Sequence, residues 1–270
     1  MFWHKRNDAG LKKLRSTSKS EMEDLFLTRS ILDISDIFEV SVTATRLYAS
    51  SLGIKRSISE SNKVRYRKHI TYLTPVQEQL VYGSLLGDAC LFRQQHRNHF
   101  TLKVFFAHGQ DQLAYLKHKK SVIGGCKIGS RPEGSNLGKQ MFQFGYSNTQ
   151  GLLPVESIVS PKGHKEVNER WLQKLELPGI AYWYQDDASL VKTGPKAASI
   201  RWYTNSFSAE EIRLLILFIR QLGFSSIGTS AGNYKPEQII IVCHRYADVA
   251  RFIRKIKPFA IPCLSYKFQV

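Results

Sequence analysis

From Thr74 onward the chain passes back and forth between segments whose apolar residues recur at helical spacing and short segments in which apolar and polar residues alternate. Thr74, Pro75 and Gln77 predict a helix start: a hydroxyl cap, a proline whose missing N–H is not needed in the first turn, and a Gln placed to cap back. That helix is expected to run to about Asp88. The following LFRQQHRNHFTLKVFFA places two β-prone runs around a polar tip at 94–98 and predicts a hairpin. A helix over Asp111 to Val122 comes next, then two extended pieces around a Gly- and Ser-rich loop at 133–138, with strand-like aromatic content from Met141 to Tyr146. A short helix from Leu152 to Ile158 closes this half.

The order then repeats. A helix at Pro178 to Asp187 leads into extended segments at Ser189 to Lys192 and Ser199 to Thr204. Ser208 and Glu211 form a capping box for a helix over Ala209 to Leu222, with Ile212, Leu215, Ile216, Ile219 and Leu222 on one face. Strands at Phe224 to Thr229 and Gln238 to Val242, and a helix from Tyr246 to Ile256, complete the series. Both halves read helix, hairpin, helix, hairpin, helix, and an internal duplication with pseudo-twofold symmetry is the economical explanation. The expected division is an N-terminal extension at 1–72, a first repeat at 73–170 and a second at 171–270.

The extension follows no such order. Residues 1–20 are rich in Lys, Arg, Ser and Thr, and 21–40 turn acidic and apolar around Leu25, Ile31, Ile34 and Ile37, which reads as a loose basic leader followed by a short helix. The leader has the composition of an organelle-targeting peptide and equally that of a basic arm on nucleic acid. Residues 54–70 set Lys55, Arg56, Lys63, Arg65, Arg67 and Lys68 against Glu60 and read as a linker or arm.

Charge narrows the partners. The chain carries 39 Lys and Arg against 22 Asp and Glu, a net +17, and the excess divides as +6, +5 and +6 over residues 1–70, 71–150 and 151–270. A polyanion touching much of the molecule is the leading expectation. With 43% hydrophobic residues the chain is no disordered tail. Its longest apolar run, Leu214 to Ile219, falls far short of the ~20 residues of a spanning helix, so no membrane association is expected. Cys90, Cys126, Cys243 and Cys263 form no CxxC pair, which argues against a zinc site and a disulfide framework and for a reducing compartment.

The helices that open the two halves end as VYGSLLGDA at 81–89 and IAYWYQDDA at 180–188, and they align without a gap. Asp88 and Asp187 are then equivalent, and Gly83, Gly87 and Ala181 let two helices approach closely. An acid at a helix C-terminus is poorly placed, because the dipole makes that end negative. Two such acids side by side repel unless a cation lies between them, and carboxylates with nearby backbone carbonyls suit Mg²⁺.

Here the sequence resembles the LAGLIDADG homing endonucleases, of the single-chain kind with two motif copies. The resemblance covers roughly Thr74 to Phe268 and is carried by LLGDA at 85–89, AYWYQDDAS at 181–189, NSFSAEEI at 205–212 and IKPFAIPCLSYK at 256–267. It implies an α+β fold of two pseudo-symmetric αββαββα repeats, with the motif helices as central interface and a saddle of antiparallel sheets lying along DNA. It implies an intron-encoded, site-specific double-strand DNA endonuclease acting as a monomer on a long asymmetric site, cutting by metal-dependent hydrolysis to leave short 3′ overhangs and promote intron mobility. Mg²⁺ is the implied cofactor, with Mn²⁺ able to substitute. Asp88 and Asp187 would bind metal, with the Ala89 and Ala188 backbone beside them, and Asp186 is the weaker candidate. Lys267 matches the lysine that the family places near each scissile phosphate. Lys165 is the nearest first-half match, with Lys162 as the alternative. Ser84, Tyr182, Ala89 and Ala188 depart from the literal motif. The alternative function is an RNA maturase assisting splicing of its host intron RNA. An organelle, mitochondrion or chloroplast, is the expected location, the bacterial cytoplasm the second.

DNA reading is expected from the hairpins. Arg93, Gln95, Arg97, Asn98 and Lys103 in the first half, beside Gln94, His96 and His99, can donate to base edges in the major groove. Lys192, Lys196, Arg201, Tyr203 and Asn205 are the second-half set, and Arg251, Arg254, Lys255 and Lys257 suit phosphates. GSNLGKQ at 134–140 lacks phosphate-loop spacing, and His96 with His99 lacks a third metal ligand. Trp171, Trp183 and Trp202 are expected in the core.

Overall fold

A computed structural model describes residues 8–29, 31–54, 72–131, 140–231 and 239–270. The chain divides into two compact units, Met1–Thr71 and Tyr72–Val270. In the first, the expected loose leader and short helix over 1–40 are instead three helices, α1 (Asp8–Ser16), α2 (Lys19–Thr28) and α3 (Ile31–Ile37), and a fourth, α4 (Val42–Ser51), follows them. They enclose an apolar core of their own from Leu14, Met22, Phe26, Ile34, Phe38, Val40 and Ala49. Local caps explain why so short a stretch is helical. Ser18 and Glu21 make a reciprocal capping box at α2, and Ser41 Oγ accepts from the Ala44 N–H at 3.1 Å to start α4. Lys12, Lys13, Arg15 and Lys19, which gave the stretch its leader-like composition, lie on the outside of these helices. The basic segment at 55–70 lies outside the described residues.

The second unit contains the duplication. Its first repeat is α5 (Pro75–Leu86), β1 (Cys90–Gln95), β2 (Phe100–Gly109), α6 (Leu113–Ile123), β3 (Gly129–Arg131), β4 (Met141–Ser147) and α7 (Thr149–Val159). A short α8 (Glu169–Leu172) leads to the second: α9 (Leu177–Asp187), β5 (Ala188–Gly194), β6 (Ala197–Tyr203), α10 (Ala209–Gln221), β7 (Ile227–Ala231), β8 (Ile239–Cys243) and α11 (Tyr246–Ile256). Each repeat forms an antiparallel four-stranded sheet, ordered β1-β2-β4-β3 and β5-β6-β8-β7. The loop at 132–139, with the rejected phosphate-loop match, lies outside the described residues. None of the described helices is long and apolar enough to cross a membrane.

Alternation along the central strands sets two faces. On β2, Leu102, Val104, Phe106 and His108 are buried while Thr101, Lys103, Phe105 and Ala107 are half-open; on β6, Ala198, Ile200 and Trp202 are buried while Ser199, Arg201 and Tyr203 are more open. The buried faces join one core with the helices, to which Trp171, Trp183 and Trp202 belong.

α5 and α9 pack backbone to backbone. A Cβ added to Gly83 would lie 2.1 Å from the Gly179 carbonyl oxygen, and one added to Gly179 would lie 2.4 Å from Gln79 Oε1. Gln79 links the two helices, taking the Glu176 N–H at 2.8 Å and donating to the Lys174 carbonyl at 2.9 Å. Because the obstacle at Gly83 is backbone, Gly83→Ala is expected to cost about 1–3 kcal/mol or more. At about 2–4 °C per kcal/mol for a chain of this size, calorimetry should show the loss as a lowered melting temperature.

Candidate active site at the paired motif helices

α5 stops at Leu86, so Gly87 and Asp88 form its terminal turn, while α9 runs through Asp187. A Cβ on Gly87 would strike Asp186 Cβ at 2.4 Å, so the residue before each aligned acid packs against its counterpart. Gly87 is therefore required by close approach. Asp186 consequently points inward, and Lys119 of α6 meets it there: Nζ donates to Oδ1 at 2.7 Å and Oδ2 at 2.8 Å, with both side chains fully buried. The Lys119 ammonium also stands 4.5 Å from the Tyr115 ring centre.

His108 reaches the same place from β2. Its Nδ1 lies 3.4 Å from Asp88 Oδ2 and its Nε2 3.9 Å from Asp186 Oδ1. Burial, and then the nearby Lys119 charge, push the imidazole down to about 4, so it is neutral at pH 7. Sheet register shows that the second repeat lacks this group. Phe105 pairs with Cys90, two residues past Asp88, and Arg201 with Ser189, two past Asp187. Thr204 thus stands where His108 does, and its hydroxyl donates to the Ile239 carbonyl at 2.5 Å. The two acids have unlike surroundings in an otherwise symmetric frame.

Asp88 and Asp187 are held above the usual carboxylate range. Asp88 is raised to about 6 by burial and then by Asp186, although 40% of its side-chain surface is open. Asp187 is raised to about 8 by burial and then by Asp88 and Asp186. Three lysines oppose these shifts, but each is committed elsewhere. Lys119 is on Asp186. Lys165 Nζ donates to the Leu85 carbonyl at 3.1 Å, and Lys267 Nζ to those of Gln185 at 2.6 Å and Ala188 at 2.9 Å. Burial lowers the pKa of both Lys165 and Lys267. Each of these two sits on carbonyls at the end of its own repeat's motif helix, whereas Lys162 pairs with Glu166 on the surface at 3.0 Å.

Such a donor set fits a divalent cation. Asp88 and Asp187 are hard oxygen ligands short of positive charge. Ligand atoms of Asp88, His108 and Asp186 also lie within 4.8 Å of one another, but both Asp186 oxygens already face the Lys119 ammonium. Of the two backbone positions, the Ala188 carbonyl accepts from Lys267, and Ala89 donates its N–H to Ser84 at 2.8 Å.

The strand faces correct part of the expected DNA set. Arg93 and Gln95 pair with Leu102 and Phe100, which puts them on the helix side of the first sheet. Arg93 is held there: Nε donates to Glu156 Oε1 at 2.8 Å, Nη2 to Oε2, and the guanidinium lies 3.9 Å over Phe100. It does not face the open side. Lys192 likewise pairs with Ala198 on the core-side register, beside an irregularity, and is exposed only at the strand end. Lys103, bonded to Gln94 at 2.8 Å, Arg201, and Tyr203 beside Ser189 at 3.2 Å, lie on the open faces. Arg97 and Asn98 are exposed at the first hairpin tip and Asn205 in the turn after β6. His96 and His99 stack on each other with ring centres 4.5 Å apart.

Sequence reasoning gave Lys119 and His108 no role, although periodicity held a signal for both. Tyr115, Leu116 and Ile123 set a buried stripe on α6 that includes Lys119, and strict alternation from Leu102 places His108 inward.

Two αββαββα repeats, joined by acid-tipped helices and each opening one sheet face, define the homing endonuclease class of fold. The family model of the LAGLIDADG DNA endonuclease family matches residues 78–242, and the chain belongs to that family. The homing endonuclease I-WcaI bound to its DNA recognition sequence aligns with a TM-score of 0.62 over 82% of this chain and 96% of that one, at 21% identity. "Probable intron-encoded endonuclease 1" of Wickerhamomyces canadensis is 25% identical over 217 residues, covering 75% of this chain and 87% of that protein. Protein RecA of Mycobacterium gastri is 25% identical over 206 residues, covering 72% of this chain, so that the chain spans about half (47%) of that protein's length. "Cytochrome b mRNA maturase bI2" of Debaryomyces hansenii is 22% identical over 222 residues, 79% of this chain and 80% of that protein.

Proposed function

We propose that this protein is an intron-encoded homing endonuclease that cuts both strands of a long duplex site as a monomer, with Mg²⁺ as its ion, leaving short 3′ overhangs. One observation carries the reading: two aligned acids at the ends of paired helices, each short of positive charge and each with its own repeat's lysine on the adjoining helix end. Asp88 and Asp187 would hold the cation; when bound, it polarises a water and neutralises charge on the leaving 3′ oxygen. Lys165 and Lys267, eased toward the neutral form by burial, put a movable hydrogen-bond donor at each helix end. Gly87 and Asp186 keep the acids at a fixed spacing, and Lys119 neutralises Asp186 so that it does not add a third negative charge. Lys103, Arg201 and Tyr203 read or grip the duplex from the open sheet faces.

The test is a plasmid carrying the host sequence without its intron. The protein with Mg²⁺ should linearise it, and failure to cut both strands with either Mg²⁺ or Mn²⁺ would sink the proposal. The rate should also climb between about pH 6 and pH 8, because metal displaces protons from Asp88 and Asp187, whose pKa values are raised to about 6 and about 8. Raising Mg²⁺ should move that limb to lower pH. A flat profile would mean that both acids are already ionised.

The maturase relative motivates a second reading, in which the same open basic faces hold intron RNA. Tight, salt-dependent binding of the host intron RNA by a protein that leaves the plasmid intact would favour it.

A further inference from the structure

The four-helix unit of residues 8–54 supplies none of the acids or lysines above, and its last two helices have a defined arrangement of their own. α3 ends in a turn at Glu39, whose φ of 51° makes it the one non-glycine residue in the left-handed region among the described residues. Two hydrogen bonds fix that turn: the Val40 N–H donates to the Ser35 carbonyl at 2.9 Å and the Glu39 N–H to that of Asp36 at 3.1 Å. Ser41 then caps α4, so residues 38–41 alone connect the two helices.

Ser35 of α3 and Thr45 and Ala49 of α4 are small and buried, which lets the two backbones approach, and Ile34, Phe38 and Val40 complete the core. α1 covers the turn so closely that a Cβ on Gly10 would lie 2.3 Å from the Phe38 carbonyl oxygen. A helix, a tight four-residue turn and a second helix locked by small buried side chains have the connectivity of a helix-turn-helix.

The other face of α4 is open. Thr43, Arg46, Leu47 and Ser50 are all exposed and fall at i, i+3, i+4 and i+7, so they share one stripe, with Ser41 beside its start. Leu47 is 68% exposed, and α4 contains no Asp or Glu. In the sequence, α4 is followed by Lys55, Arg56, Lys63, Arg65, Arg67 and Lys68 against Glu60 alone. An acid-free helical stripe followed by a basic segment complements a polyanion.

We propose that α3 and α4 form a second DNA-binding element, with α4 entering the major groove of a duplex stretch outside the one that the repeats cleave. Arg46 has the fork geometry for guanine, Thr43 a hydroxyl for either base partner, and Leu47 an apolar surface for a thymine methyl. The inference rests on the endonuclease reading of the repeats and adds a separate block to the recognition site.

The experiment uses the full chain in Ca²⁺ with a library of long randomised duplexes. Selection and footprinting should return two conserved blocks. A Thr43→Ala, Arg46→Ala, Leu47→Ala triple variant should still protect the block containing the cut positions but lose protection of the other. Its affinity for the two-block duplex should fall about tenfold or more, to that of the parent for a duplex with the outer block scrambled. All three side chains are exposed, and an unchanged melting curve checks that the unit still folds. A single block for the parent, with the same footprint in the variant, overturns this inference and leaves the endonuclease standing. No enrichment of any DNA overturns both. A variant altered only in self-association, by sedimentation, assigns the stripe to protein contact and overturns the inference.

Discussion

Asp187→Asn is expected to lower double-strand cleavage on the order of a thousandfold or more, and Asp88→Asn to do the same. Affinity for the target in Ca²⁺ should change little, since the groups on the open sheet faces are untouched. The expectation follows from the state of the two carboxylates. Each is pushed toward its protonated form by burial and by neighbouring acids, and the lysines that could neutralise it are bonded to other acceptors. An amide keeps the shape and removes the charge, so whatever cation the pair attracts is lost.

A stability measurement in EDTA tests the same physics without catalysis. A carboxylate whose folded pKa is raised disfavours the fold above its unfolded pKa, near 4, and the penalty is complete once pH passes the folded value. The metal-free parent should therefore lose stability between about pH 4 and pH 8, the upper limit being the raised value of Asp187. Asp187→Asn should flatten that slope and melt higher at pH 8, while added Mg²⁺ should stabilise the parent but not the variant. Equal melting temperatures for parent and variant across this range would mean that Asp187 is not strained by its surroundings. Removal of activity with a gain in stability is the signature of an acid kept for function at the expense of the fold.

The acids were legible because their evidence is local. Thr74 and Gln77 announce α5, small residues mark the helix contact, and a gapless match between two stretches of one chain needs no knowledge of tertiary structure. What sequence left out depends on pairings between distant residues. Arg93 reads as a free cation at a hairpin tip until Glu156 of α7 claims it, 63 residues away. With Leu91 and Phe92 both apolar, alternation alone does not say which side of β1 faces the helices. The N-terminal unit is hidden from composition for another reason: composition averages over a helix, whereas burial depends on which positions carry the charge. Lys13 and Arg15 flank the buried Leu14, and the basic character belongs only to the outer surface.

Lys119→Met should be the most damaging single change away from the acids, costing about 3–5 kcal/mol because Asp186 would lose the ammonium that faces both of its buried oxygens. In a melting experiment that is a drop of about 6–20 °C. Met nearly matches the lysine in volume, so the loss would report charge and not a cavity. The decisive comparison is the Lys119→Met, Asp186→Asn double variant. With neither charge present, most of the lost stability should return, since a buried ion pair often contributes little beyond neutral groups of the same shape. Activity tests the assignment of roles. Asp186 raises the pKa of both Asp88 and Asp187, while Lys119 lowers them, so removing the two together largely cancels at the acids. The double variant should cleave at a rate close to that of the parent. If it is stable but inactive, Asp186 belongs with the metal-binding acids after all; if Lys119→Met melts with the parent, the buried pair does not form. The pair thus explains how three carboxylates can share two touching helix ends: one is neutralised internally, and the other two are left short of charge.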